Sequence, residues 1–152
     1  MPKKQHHDDA AFDVIVPDDV ELHYGRQMIN LRFSLELPKE YAATIQPRSG
    51  FSVKGIEVDR IYMEDGVILE TTKERINADV IRGLVDAGYR GEVRVILKVN
   101  EVPPPFVRYV IKKGTRIAQM QIVEVPQVEL IGVEELSETD RGEGGIGHTG
   151  TR

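Results

Sequence analysis

Between Met28 and Leu37 the chain reads MINLRFSLEL, with Ile29, Leu31, Phe33, Leu35 and Leu37 separated by Asn30, Arg32, Ser34 and Glu36. Successive side chains of an extended strand point to opposite faces, so this period of two predicts a half-buried strand. The pattern recurs at Tyr41, Ala43 and Ile45 before Pro47, and at Val93, Val95, Leu97 and Val99 with Arg94 and Lys98 among the outward positions. Phe106 to Ile111 and Ile117 to Val125 are rich in β-branched or aromatic residues and read as further strands. Pro103-Pro104-Pro105 and Lys112-Lys113-Gly114 supply turns. A single helix is expected, over Thr72–Leu84, where Ile76, Val80, Ile81 and Leu84 fall at helical spacing, Thr71 or Thr72 offers an N-cap and Gly83 a stop. Many short strands punctuated by turn residues predict a mainly β fold, a jelly-roll-like barrel or sandwich.

Length and composition narrow the function classes. The 152 residues fit one domain, by a prior of about 150 residues each. The net charge of -5 argues against a general nucleic-acid coat, so no direct nucleic-acid partner is expected. The chain has no cysteine, which excludes zinc-thiolate sites, cysteine nucleophiles and disulfides together. No apolar run approaches the ~18 residues of a membrane helix and no signal-peptide pattern is present, so a cytoplasmic location is expected, or the host cytoplasm or nucleus for a viral protein. Met1 to Ala10 are polar and aperiodic and read as a flexible lead. Glycine is concentrated at the other end, with five of the 14 glycines between Gly142 and Gly150.

Four segments interrupt the strand rhythm with residues that a sheet does not need. Pro47-Arg48-Ser49-Gly50 follows a strand. Arg48 offers a fork of donors to a phosphate or carboxylate, Ser49 a hydroxyl, and Gly50 a closely approachable backbone N–H. The same residues also read as a plain turn with an exposed arginine. Gly83 to Glu92 (GLVDAGYRGE) places Asp86 and Tyr89 in what reads as a tight hairpin, where Asp86 either takes a proton from water or caps its own turn. Gln119, within Arg116-Ile117-Ala118-Gln119-Met120, is an amide donor on a strand or simply an outward polar residue. The cluster Arg141 to Gly150 (RGEGGIGHTG) reads either as an anion-binding nest closed by Arg141 and Thr149 or as a glycine-rich tail. It is no Walker loop, because Gly-Lys-Ser/Thr and a following helix are missing. His6-His7-Asp8-Asp9 reads as a solvated tail rather than a metal site, and Asp13 as a turn residue or an outer-shell magnesium partner.

In this order, AAFD, PRSG, GLVDAGYRGE, RIAQM and RGEGGIGHTG resemble the five motifs of the trimeric dUTPase family, spanning Ala10 to Gly150. The resemblance implies a jelly-roll β-barrel assembled as a homotrimer with sites at subunit interfaces. It divides the chain into a lead (1–10), a dUTPase-like barrel (11–138) and a glycine-rich lid (139–152). It implies hydrolysis of dUTP to dUMP and pyrophosphate with Mg²⁺, which limits uracil in DNA and supplies dUMP for dTMP synthesis. Asp86 would orient and activate the water that attacks the α-phosphorus. Tyr89 would pack on the deoxyribose, and the backbone around Leu84 and Val85 would read uracil. Arg48, Ser49, Gly50 and Gln119 would contact the phosphates, with Mg²⁺ held mainly by those phosphates and Asp13 in its outer shell. The tail would close over a neighbour's site through Arg141, Ile146, Gly147, His148 and Thr149. A lid of this kind excludes water while completing the site.

Departures from the family pattern stand out. Ile146 occupies the place of a stacking aromatic, a loss on the scale of roughly 1 kcal/mol for one base–aromatic contact. His148 replaces a serine, keeping a phosphate donor and adding pH dependence. Ser49 to Asp86 is about twice the family's spacing, an insertion near 58–82 that is long for a connection. Val80 stands where the family has a uracil-reading Asn, and Asn77 lies three residues too early. These departures leave two further readings: a related hydrolase with altered base choice, or a nucleotide-responsive regulator binding a protein through 58–82.

Overall fold

The computed structural model describes residues 1–143. Among them the strands in chain order are β1 (Phe12–Ile15), β2 (Val20–Leu22), β3 (Gly25–Asn30) and β4 (Tyr41–Gln46), followed by the helix α1 (Ser49–Lys54). Then come β5 (Ile56–Glu64), β6 (Val67–Ile76), β7 (Ala78–Ile81), β8 (Gly83–Val85), β9 (Arg94–Val99), β10 (Val107–Ile111) and β11 (Arg116–Glu124). They form three antiparallel sheets ordered β1-β11-β4-β8, β2-β10-β5-β6 and β3-β9-β7. The mainly β fold expected from the alternation is present, as three separate ladders around a shared core. Val14, Ile45 and Ala118 enter that core from the first sheet, Val58 and Ile111 from the second, and Ile29, Val80 and Leu97 from the third. No described helix is long and apolar enough to cross a membrane.

The expected helix over Thr72–Leu84 does not form. Those residues run through β6, β7 and β8. Ile76, Ala78 and Val80 are buried while Asn77 and Asp79 are exposed, a period of two. A spacing of four satisfies both a strand and a helix face, so Ile76 and Val80 alone do not discriminate. β-Branched Thr71, Thr72, Ile76 and Val80 favour the strand, and pairing across the sheet decides it. Ile76 lies opposite Ile56, and Val80 opposite Leu97.

The insertion near 58–82 is largely a long hairpin of β5 and β6, closed by Asp65 (φ 48°) and Gly66 (φ 79°). Two consecutive positive φ values are what a two-residue turn matched to strand twist requires, and Asp-Gly supplies them. Ion pairs cross it between Arg60 and Glu74 (3.3 Å), Arg75 and Glu57 (3.5 Å), and Lys73 and Asp59.

The strand expected from Met28 to Leu37 ends at Asn30, because Arg32 takes a left-handed φ of 55°. The alternation beyond that point still packs: Leu31 is buried, and Phe33, Leu35 and Leu37 lie against the core. Two backbone bonds to Val93 continue the contact, from the Leu31 N–H (3.2 Å) and to the Phe33 carbonyl (2.9 Å).

Candidate active site

The site residues fall on three structural contexts. Gly83 to Glu92 is a crossing between sheets rather than the tight hairpin expected: β8 pairs with β4, while β9 pairs with β3 and β7. The turn is closed by the Tyr89 N–H donating to the Asp86 carbonyl at 3.1 Å. At its far end Glu92 Oε1 accepts from the Arg32 N–H at 2.6 Å, tying the crossing to the break after β3. Tyr89 folds back so that its hydroxyl donates to the Glu92 carbonyl at 3.1 Å. This fold-back needs a glycine at 91, since a Cβ there would lie 2.3 Å from the Tyr89 hydroxyl oxygen.

A cleft of about 290 Å³ opens beside this crossing, lined by Leu84, Val85, Asp86, Tyr89, Met28 and Arg94 among others. The Asp86 carboxylate is exposed and makes no hydrogen bond among the described residues. A carboxylate with open lone pairs in a mostly apolar cleft can accept a proton from water, and geometry of this kind is the first requirement of a general base.

Arg48, Ser49, Gly50 and Gln119 lie in a second cavity, of about 430 Å³. Cross-strand register assembles it: Asp13 on β1 lies opposite Gln119 on β11, which in turn lies opposite Gln46 on β4. The chain leaves β4 through Pro47 and enters α1, with Arg48 at the N-cap position in an extended conformation. Pro47 to Gly50 is therefore a helix entry as well as a turn. The helix is stopped by Gly55, whose φ of 69° and whose packing against the Ile76 carbonyl oxygen, 2.2 Å from an added Cβ, admit only glycine. The N-terminal lead forms another wall through His6 and Asp9. Lys3 and Asp13 exchange backbone hydrogen bonds of 3.2 and 2.7 Å, and Asp9 Oδ2 accepts from the His6 N–H at 2.8 Å, which holds the Asp9 carboxyl below its usual range.

Asp13 is engaged on both oxygens: Arg48 Nε lies 2.9 Å from Oδ1, and Arg116 Nη1 donates to Oδ2 at 3.2 Å. No group of three or more His, Cys, Asp or Glu among the described residues is placed to hold a metal. Asn77, the nearest asparagine to the expected uracil-reading position, instead accepts from the Asn100 side chain at 3.0 Å, and Val80 is buried in the core. Neither lines the first cleft. Met28 and Arg94, which do line it, carried a signal in the sequence: both occupy outward positions of alternating strands, one with an apolar side chain. Arg141 lies in a turn where the Gly142 N–H donates to the Thr139 carbonyl at 3.0 Å. Ile146, Gly147, His148 and Thr149 lie outside the described residues.

The chain matches the dUTPase family model over residues 1–77 and 70–150. The chain belongs to the dUTPase family. A deoxyuridine 5'-triphosphate nucleotidohydrolase of Crocosphaera subtropica is 36% identical over 151 residues, which cover 99% of this chain and 90% of that protein. Among solved structures, the Staphylococcus bacteriophage 80alpha dUTPase with dUpNHpp superposes with a TM-score of 0.76 at 26% identity, covering 99% of this chain and 91% of that one. A mutant dUTPase of phage phi11 of S. aureus, described for its coordination of a structural Mg(II) ion, shares the fold with a TM-score of 0.68 at 23% identity, over 89% and 90% of the two chains. Against the dUTPase fold, the first cleft collects the GLVDAGYRGE motif and the second collects AAFD, PRSG and RIAQM.

Proposed function

We propose that the chain is a dUTP diphosphatase, a cytoplasmic enzyme hydrolysing dUTP to dUMP and pyrophosphate at sites shared between the subunits of a homotrimer. The full-length relatives named for dUTP support the substrate, and one observation carries the arrangement. The cleft holding Asp86 and Tyr89 and the cavity holding Arg48, Ser49 and Gln119 have no lining residue in common. In this reading the base enters the first on one copy of the chain and the phosphates enter the second on a neighbouring copy. The segment after β11 favours such an assembly. Leu130 (94% exposed) and Leu136 (87%) stand open to solvent along it with Val128 and Ile131, a run of apolar residues that a second copy would cover.

In this reading the apolar walls around Leu84 and Val85 take uracil, and Tyr89 lies against the deoxyribose. Asp86 accepts a hydrogen bond from a water and holds its lone pair toward the α-phosphorus. As the water oxygen bonds to phosphorus, its proton passes to Asp86. The bond to the bridging oxygen breaks, and its electron pair leaves on pyrophosphate. Arg48, Ser49, Gly50 and Gln119 grip the phosphate chain, and Arg141 with Ile146, Gly147, His148 and Thr149 closes the site from a neighbour. Mg²⁺, held on the phosphate oxygens, would supply charge neutralisation along that chain. With both oxygens of Asp13 engaged by guanidinium groups, the described residues offer it no dedicated protein cage.

Purified protein with dUTP and Mg²⁺ is expected to release pyrophosphate. Asp86→Asn should lower kcat by about 10²–10⁴-fold, the usual reach of general-base catalysis, while dUpNHpp still binds. No turnover by the wild type, or full activity in the variant, would contradict the assignment.

A further inference from the structure

An enclosed charge in the phosphate cavity belongs to Asp13, whose side chain is only 12% exposed. Its two oxygens are divided between two arginines from different parts of the fold: Arg48 reaches Oδ1 through Nε at 2.9 Å, and Arg116 reaches Oδ2 through Nη1 at 3.2 Å. Left to itself, an arginine and a carboxylate favour two parallel contacts, which would engage two nitrogens of the guanidinium and both carboxylate oxygens. Here Arg116 occupies the second oxygen. Arg48 is ion-paired to Asp13 through its Nε edge, and among the described residues its Nη groups make no hydrogen bond. Those Nη donors belong to a side chain that lines the cavity together with Ser49, Gly50 and Gln119.

Placement in the sheet makes this division a property of the fold. Arg116 begins β11 and pairs with Ile15 on β1, while Asp13 lies two residues back on the same strand. Arg48 arrives from the end of β4, on the other side of β11. The three side chains meet because β11 is central to the pair. A carboxylate this enclosed is costly without partners, and two cations offset that cost while leaving a net positive cluster beside the cavity.

We infer that Asp13 and Arg116 are positioning residues for Arg48. Asp13 holds the Nε edge of the guanidinium, and Arg116, by occupying the other carboxylate oxygen, keeps the terminal donors of Arg48 available to a phosphate chain. The inference rests on the proposed dUTP site. It differs from the outer-shell metal role for Asp13, because its effect on binding does not pass through a metal.

The test measures dUpNHpp affinity of the assembled protein, in excess Mg²⁺ and again in EDTA. Asp13→Asn should weaken binding in both conditions. With Arg48→Met already present, Asp13→Asn should add little, as expected for two residues acting through one contact with a coupling of at least about three-fold. Arg116→Met changes a half-exposed side chain that the fold does not bury, so it guards against a folding defect in the Asp13 variant. It should weaken binding in both conditions, and Arg116→Lys should recover most of the loss. An Asp13→Asn effect confined to Mg²⁺, one fully additive with Arg48→Met, or unchanged affinity in Arg116→Met would each overturn the inference. A wild type that neither binds dUpNHpp nor turns over dUTP would instead overturn the proposed function.

Discussion

Tyr89 and Gly91 show how a residue of binding chemistry depends on a neighbour that touches nothing. The Tyr89 ring occupies the space a Cβ at 91 would fill, 2.3 Å from its hydroxyl oxygen. The far end of a side chain gives way more easily than backbone, so Gly91→Ala should displace Tyr89 rather than unfold the crossing. Stability should change by less than about 1 kcal/mol in urea titration, while KM for dUTP rises and discrimination against UTP falls. An unchanged KM would remove Tyr89 from the sugar contact. At this scale the sequence was most legible where chemistry is local, as at Asp86 and Arg48. At Asp13 it offers a turn residue or an outer-shell magnesium partner but not the arginine pairing, which depends on Arg116, 103 residues away. The fate of Asn77 was equally hidden, since it is bonded to Asn100 across a strand pair.

Period two marks strands well, although over Met28 to Leu37 it continues past the end of β3 at Asn30. The β9 strand matches the alternation in Val93 to Val99, and β11 the β-branched-rich run Ile117 to Val125. Over Thr72–Leu84 apolar residues four apart fit either period, and only pairing with β5 and β9 selects the strand. Gly83 to Glu92 likewise reads as a hairpin in sequence, because local turn residues cannot say which sheet each arm joins. The helix α1 depends on one backbone position in the same way. Gly55 combines a φ of 69° with contact to the Ile76 carbonyl oxygen. Gly55→Ala should therefore cost about 2 kcal/mol, the scale of left-handed strain with a backbone clash, seen as a lower urea midpoint. Because α1 begins at Ser49, the same variant should raise KM for dUTP more than it lowers kcat. A midpoint equal to wild type would show that the β6 end can move aside.

For the whole molecule, the motifs fall in two cavities with no lining residue in common, a division that no single motif carries and that the proposed trimer accounts for. Five motifs in order identify a site but not whether one chain can assemble it. The proposed trimer divides it between copies, and the solvent-facing Leu130 and Leu136 mark the segment that a neighbour would cover. Light scattering should accordingly give a trimer, with monomers appearing inactive on dilution below the assembly constant. The most direct test mixes two inactive proteins. Asp86→Asn keeps the phosphate half intact and Arg48→Met keeps the base half intact. When the two are unfolded, mixed in equal amounts and reassembled, roughly a quarter of the sites should combine an intact Asp86 from one chain with an intact Arg48 from another, and dUTP hydrolysis should return to that fraction of wild type. Activity no greater than the sum of the two parents would place both halves of each site on one chain and contradict the account.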